Sequence, residues 1–345
     1  MKILNSIITT TLLSTVLYSA PISQEDGFSG FIAVGVSSMR YESNMLAGTS
    51  FDDEIISKNI NSINNNPKSG TSTQPTFNFN VKYTFAEAKA EVYIGTLLED
   101  VLTFDSTAIL GIRKDFTNVG ILSAGLLSSV MPTRTWSDPY ATNGYRQVKD
   151  MSSKGMFLKW EGVMESNFNV ELRSRKFKID GGDKSGLGSP YIGELTNYLN
   201  PYQLNNTLNR EGDLLQLITA YRFNLDQKNL FKVALRLSDY DLDGSAMKYK
   251  RVGLKLDYAY IGRKWDFITV LGLYKDLYDN NNPLYNKKAD ANNLGLAFTA
   301  LYKNPFDISK DLSLTTSIGF YDSNSDIDFY DSRITMLNLG ILYKF

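Results

Sequence analysis

Charged residues recur in this chain at every second position of runs that are otherwise apolar, and that spacing decides what chemistry is open to them. Lys82, Lys159, Arg173, Arg175, Arg222, Lys232, Arg236, Arg251 and Lys255 follow the pattern, as do Arg113 and Lys344. Glu91, Glu161, Glu171, Asp257 and Asp266 share it. A period of two is that of a strand, so these groups leave one face of a sheet while apolar side chains leave the other. Where such a polar face encloses water, an excess of bases over acids favours the passage of anions. The competing arrangement is a ladder of ion pairs that fills the space. Arg173, Arg175, Arg222 and Arg236 are the best candidates for lining a passage.

A second constellation is Asp239-Tyr240-Asp241-Leu242-Asp243-Gly244. D-x-D-x-D-G is the spacing with which carboxylates and a glycine turn wrap a hard cation, so Asp239, Asp241 and Asp243 are candidate ligands for calcium or magnesium. The twelfth position is Lys250, where an EF-hand needs a glutamate, so this is not an EF-hand. An acidic hairpin tip is the competing reading. Apart from such a surface ion, no cofactor is expected.

Two absences narrow the chemistry. The chain has no histidine, which excludes Ser-His triads, Asp-His dyads and histidine-ligated zinc. It has no cysteine, and so no disulfide framework and no thiolate metal site. No pair of carboxylates is spaced for acid–base catalysis, and an enzyme is not expected. A net charge of -1 gives no reason to expect a nucleic-acid partner.

The elements that must position these residues are strands. Phe77, Phe79, Val81, Tyr83 and Phe85 alternate with Asn78, Asn80, Lys82 and Thr84; Phe231, Val233, Leu235 and Leu237 oppose Lys232 and Arg236. About fourteen such segments follow Gly27, separated by connections that alternate between short and long. Short ones lie near Ala86–Lys89, Asp115–Asn118, Glu165–Asn167, Leu225–Asn229, Ile261–Lys264 and Asn304–Asp311. Long polar ones cover Glu42–Gln74, Ser129–Ser153, Gly181–Gly212, Lys275–Asp290 and Asp322–Ser332, and the stretches near Glu99–Asp105 and Asp239–Ala246 are brief. Aromatic residues gather beside the short turns, where amphipathic rings prefer a membrane boundary. Three segments, Phe31–Met39, Thr107–Arg113 and Val119–Leu127, are small or apolar on both faces and do not reveal which side meets lipid.

Leu337, Leu339, Ile341, Tyr343 and Phe345 end the chain on one apolar face. At the other end, Lys2, a short apolar stretch and Ser19-Ala20 have the form of a signal peptide over residues 1–20. No window approaches the ~20 apolar residues of a spanning helix. The mean hydropathy of -0.22 does not argue against a membrane barrel, whose two faces average out.

Several pieces, in order along the chain, resemble a domain-of-unknown-function family of Gram-negative outer-membrane proteins common in Vibrio-like bacteria. They include Gly27-Phe28-Ser29-Gly30-Phe31, Glu42-Ser43-Asn44-Met45, Gly95-Thr96-Leu97-Leu98-Glu99-Asp100 and Trp136-Ser137-Asp138-Pro139-Tyr140. Tyr240–Met247, Tyr302–Phe306 and Asp326–Asp331 continue the match. The resemblance implies an outer-membrane barrel and carries no activity.

The expectation is an all-β protein, a closed antiparallel transmembrane β-barrel of about fourteen strands over residues 21–345, in the bacterial outer membrane. Its expected role is a passive, porin-like channel for small solutes, with a bias toward anions. The alternative is a closed barrel whose outer loops bind a surface ligand, cation or partner. Membrane lipid and lipopolysaccharide are the expected surroundings, and Phe345 is the expected handle for the barrel-assembly machinery.

Overall fold

In the computed structural model, residues 21–48, 58–97, 106–142, 144–187 and 200–345 are described. Residues 1–20, 49–57, 98–105, 143 and 188–199 fall outside them, and with them the expected signal peptide, the brief connection near Glu99–Asp105 and parts of three of the long ones. The strands are β1 (Gly27–Ser43), β2 (Leu46–Gly48), β3 (Ser69–Phe85), β4 (Ala90–Thr96), β5 (Ser106–Phe116), β6 (Gly120–Met131), β7 (Thr133–Trp136) and β8 (Val148–Glu161). They continue as β9 (Phe168–Ile179), β10 (Gly212–Asn224), β11 (Asn229–Leu242), β12 (Tyr249–Ile261), β13 (Trp265–Tyr278), β14 (Ala291–Lys303), β15 (Leu312–Ser325) and β16 (Ser332–Lys344).

All but β2 and β7 form a closed antiparallel barrel of 14 strands. Each barrel strand pairs with the one before it, and β16 returns to β1 in register from Phe31↔Lys344 to Ser43↔Ser332. Phe345 completes the seam: its N–H donates to the Gly30 carbonyl (3.1 Å) and its own carbonyl accepts from Gly30 N–H (2.9 Å). Closure is what a membrane demands, because an unpaired edge would leave backbone groups without partners in hydrocarbon. The short strands β2 and β7 pair with each other beyond the wall, on the outer end of β8.

The outward face is apolar and bare. Val34, Val36, Leu235, Leu254, Leu296, Leu339 and Ile341 are all exposed. Beside the short turns a belt of rings encircles the barrel: Phe223 stacks on Phe231 (5.4 Å between centroids), Phe231 meets Tyr258 (4.7 Å), and Trp265 meets Tyr302 (4.8 Å). That belt over an apolar band is a surface suited to acyl chains and headgroups, not to water.

The strands extend further on the long-loop side than sequence alternation indicates. β3 begins at Ser69 and β11 runs through Leu242. Above the apolar band the outward positions turn polar, which hides a strand from a hydropathy reading. One helix, α1 (Pro201–Leu208), lies within the expected loop Gly181–Gly212. Asn200 caps it by accepting from Gln203 N–H (3.0 Å) while the Gln203 side chain accepts from Asn200 N–H (3.0 Å).

Candidate functional site

The register fixes which side chains point into the barrel, and Lys82, Arg113, Lys159, Arg173, Arg175, Arg222, Lys232, Arg236, Arg251, Lys255 and Lys344 all do. They are unevenly placed. Those at mid-height, Arg173, Arg175, Arg236 and Lys255, come from β9, β11 and β12, and all four are buried. Nearer the short turns, carboxylates knit the bases together. Glu91 takes Lys82 (2.9 Å) and Arg113 (3.1 Å), Glu161 takes Lys159 (2.7 Å) and Arg113 (3.5 Å), and Glu171 takes Arg173. Asp257, fully buried, sits between Lys232 (3.0 Å) and Lys255 (3.1 Å). Arg175 donates to Thr107 (2.9 Å) and to Ser153, and Arg222 to Asn169 (3.2 Å). Toward the long loops, Arg251 holds Asp276 with two bonds (2.6 and 2.7 Å). The charges are therefore tucked against their wall in a paired network.

Across the barrel, β14, β15, β16, β1 and β3 present a different lining. Their inward mid-height residues are Ala297 and Thr299, Thr315 and Ser317, Asn338 and Gly340, Gly35, Thr76 and Asn78. These side chains are small, neutral and half-exposed although they face the interior. Two hydrogen bonds tie the wall across its strands, Thr299 with Ser317 (2.9 Å) and Asn338 to Thr76 (2.9 Å). Beside it Tyr274 lies flat along the barrel wall: a Cβ on Gly253 would come within 2.1 Å of its ring, and one on Gly272 within 2.6 Å. Glycine there lets a large ring fold onto the wall and leave the interior clear. These inward groups are only partly covered by their neighbours. A fourteen-strand barrel lies between the eight-strand size that side chains fill and the sixteen-strand size that leaves an open channel.

The interior also has dry patches. Near the short turns Phe31, Leu230, Ala259, Ile268, Leu301 and Leu342 pack together, and on the opposite side Ile109, Leu127 and Phe157 do so. The latter two clusters draw on three segments that are apolar on both faces, which is why sequence could not orient them.

Over the long-loop mouth lies a cap. Ile60 and Ile63, Tyr140, Leu204 and Leu208 of α1, Leu242 and Met247, Leu284, Ile327 and Phe329 form one apolar core drawn from six connections. Arg210 pins it. Its guanidinium grips Asp183 with two bonds (2.9 and 2.8 Å) and donates to Thr135 Oγ1 (2.8 Å) and the Trp136 carbonyl (2.6 Å). Burial opposes its charge, but Asp183 outweighs that and holds the Arg210 pKa above its ordinary value. Arg146 lies 4.1 Å over the Trp136 ring and donates to the carbonyls of Asn44 and Pro139 (3.0 Å each), and burial lowers its pKa to about 10. The hydroxyls of Tyr140 and Tyr330 hydrogen-bond each other, and Asn282 donates to Tyr330 (2.8 Å). Burial raises both phenols, that of Tyr330 to about 12. Periodicity and spacing give none of these residues a role, although Asn44, Trp136, Tyr140, Leu242, Met247, Ile327, Phe329 and Tyr330 lie in the stretches that carry the family resemblance; the capping pattern at Asn200-Pro201-Tyr202-Gln203 is a further local signal.

Asp239, Asp241 and Asp243 do not converge. Asp239 and Asp241 leave the outer face of β11, opposite Lys250 and beside Lys248 (2.5 Å from Asp241), and Asp243 follows in the turn. The strand continues through the motif, so alternation spreads the carboxylates along one edge instead of curling them round an ion. No group of three or more acidic side chains able to hold a metal ion forms among the described residues.

These features define a closed antiparallel barrel with a lipid-facing exterior, a fold shared with outer-membrane proteins. The chain belongs to the family described as "Protein of unknown function (DUF2860)", which matches residues 27–344. No curated protein matches it in sequence. Among solved structures it is similar to OmpT, an outer membrane protein of Vibrio cholerae (12% identity, TM-score 0.40, 94% of this chain and 100% of that one). It is also similar to the outer membrane channel DcaP of Acinetobacter baumannii (8%, 0.44, 93% and 97%). A third is the anion-selective porin from Comamonas acidovorans (12%, 0.38, 93% and 100%). At these identities and TM-scores the likenesses carry no argument about what the chain does.

Proposed function

We propose that this protein is a passive outer-membrane channel for small polar solutes, closed at its outer mouth by the loop cap in the conformation described. The observation that carries the reading is the inward, half-exposed wall of Thr76, Asn78, Thr299, Thr315, Ser317 and Asn338. Hydroxyl and amide groups there offer a solute exchangeable hydrogen bonds without a charge to trap it. The buried bases opposite, more numerous than their acids, set a positive potential that favours anions over cations. Swelling of liposomes holding the purified, folded protein tests this. Entry of a small neutral polyol and of a small organic anion faster than a matched cation is expected, more so when Arg210→Ala unpins the cap. No swelling in either form overturns it.

The cap supports a second reading, a closed barrel that displays its loops to a surface ligand. Its six-connection core is a rigid platform of the kind binding loops need. Impermeable liposomes, together with ligand capture lost on disrupting the cap, would favour that reading.

A further inference from the structure

Along the outer rim of the barrel, bases stand beside acids at several places. Where the apolar band ends, Arg333 pairs with Asp322 (2.8 Å), Arg40 with Glu42 (3.1 Å) and Lys248 with Asp241 (2.5 Å), and Lys250 stands opposite Asp239. The β8–β9 pair differs from these. Lys154 stands directly across from Lys176, and Lys178 follows two positions on, opposite Ser152. All three lysines are exposed and leave the outer face, just above Met156 and Leu158, which are themselves exposed. Like charges directly opposed across an antiparallel pair destabilise it. Asp213 approaches Lys176 (3.5 Å) in an exposed pair that is worth little. Among the described residues Lys154 and Lys178 form no ion pair. The next row outward, Asp150 and Asp180, is acidic and lies further from the apolar band.

We infer that Lys154, Lys176 and Lys178 form a docking site for the phosphorylated sugar headgroup of the outer-leaflet lipopolysaccharide. Depth selects this occupant. The lysines sit at the boundary where acyl chains give way to headgroups, and the phosphates of a glycolipid lie at that level with their chains on the apolar strip below. An ammonium near an anionic membrane surface gains about fivefold in binding, and one or two phosphates seated among the three lysines supply the counter-charge that the strand pair lacks. The site lies on the outside of the barrel and is independent of whether the interior conducts.

The test is native mass spectrometry of the full folded chain in detergent, with bisphosphorylated lipid A as probe and its dephosphorylated form as comparison. Retention of the bisphosphorylated probe is expected, with loss on the order of tenfold or more for the dephosphorylated form and for K154Q/K176Q/K178Q. A control variant, K250Q/K275Q, removes exposed lysines elsewhere on the rim and is expected to bind like the parent; unheated gel mobility verifies that both are folded. Equal retention of the two lipids by the unmodified protein overturns the inference without recourse to any variant. So does full retention by the triple variant, or an equal loss in the control.

Discussion

The two walls of the barrel interior solve opposite problems. At mid-height β9, β11 and β12 turn long, charged, buried residues inward (Arg173, Arg175, Arg236 and Lys255), whereas β14, β15, β16, β1 and β3 turn in short, neutral, half-exposed ones. The first wall is buried, with Lys232 and Lys255 held on Asp257, Arg173 on Glu171 and Arg175 on Thr107 and Ser153. The second is half-exposed because its side chains are too small to reach across. In such a barrel, charge inside does not by itself mean charge in the path. On the proposed reading, the bases set the potential and the neutral wall provides the room.

Breaking the charged wall should cost most. Asp257→Asn leaves Lys232 and Lys255 around a neutral amide, and removing one partner from a buried ion pair costs about 3–5 kcal/mol. Urea unfolding followed by gel mobility is expected to show that loss, while the equivalent Thr315→Val on the neutral wall stays within about 1 kcal/mol. Similar losses at the two positions would erase the distinction.

Filling the neutral wall should act on flow and not on stability. Ser317→Trp, aimed into the open side, is expected to cut solute flux several-fold, whereas Arg236→Ala shifts ion preference toward cations and leaves flux nearly unchanged. Liposome swelling and reversal potentials separate the two effects.

The cap resembles the charged wall in being buried, and its pH response should show it. The phenols of Tyr140 and Tyr330 are raised by burial, that of Tyr330 to about 12, against about 10 in an unfolded chain. The folded cap therefore keeps protons that the opened cap releases. Its stabilisation is full below pH ~10 and is lost as pH rises toward about 12. Protease cleavage within the cap should rise over that window in the parent and respond less in Tyr140→Phe/Tyr330→Phe.

The barrel was readable because its physics is periodic. Phe231 to Leu237 against Lys232 and Arg236 states both faces at once, and the aromatic residues beside short turns state a boundary. The inward direction of Arg173, Arg175, Arg236 and Lys255 followed from the same alternation, but their burial did not. Burial depends on what other strands bring beside each base, as β5 and β8 bring Thr107 and Ser153 to Arg175 and β11 brings Lys232 to the Asp257 that holds Lys255, and on a facing wall whose Ser317 and Asn338 carry no distinctive signal. Ile109, Leu127 and Phe31 were ambiguous because both of their surroundings are apolar. The convergence of the cap is not legible for a plainer reason: Tyr140 and Phe329 lie in stretches that carry the family resemblance, but they, Ile60 and Leu208 are isolated in polar connections, and only the closed barrel brings them together. Asp239, Asp241 and Asp243 show the reverse hazard, a spacing that suits an ion-binding turn laid instead along a straight strand.

Single-channel current across a planar bilayer with unequal salt on its two sides tests the central claim that a wetted passage runs beside the neutral wall under a positive potential. Pure, folded protein is expected to give brief openings with an anion-selective reversal potential, and Arg210→Ala longer ones of the same size. Silence from both proteins, each verified as folded, would contradict it.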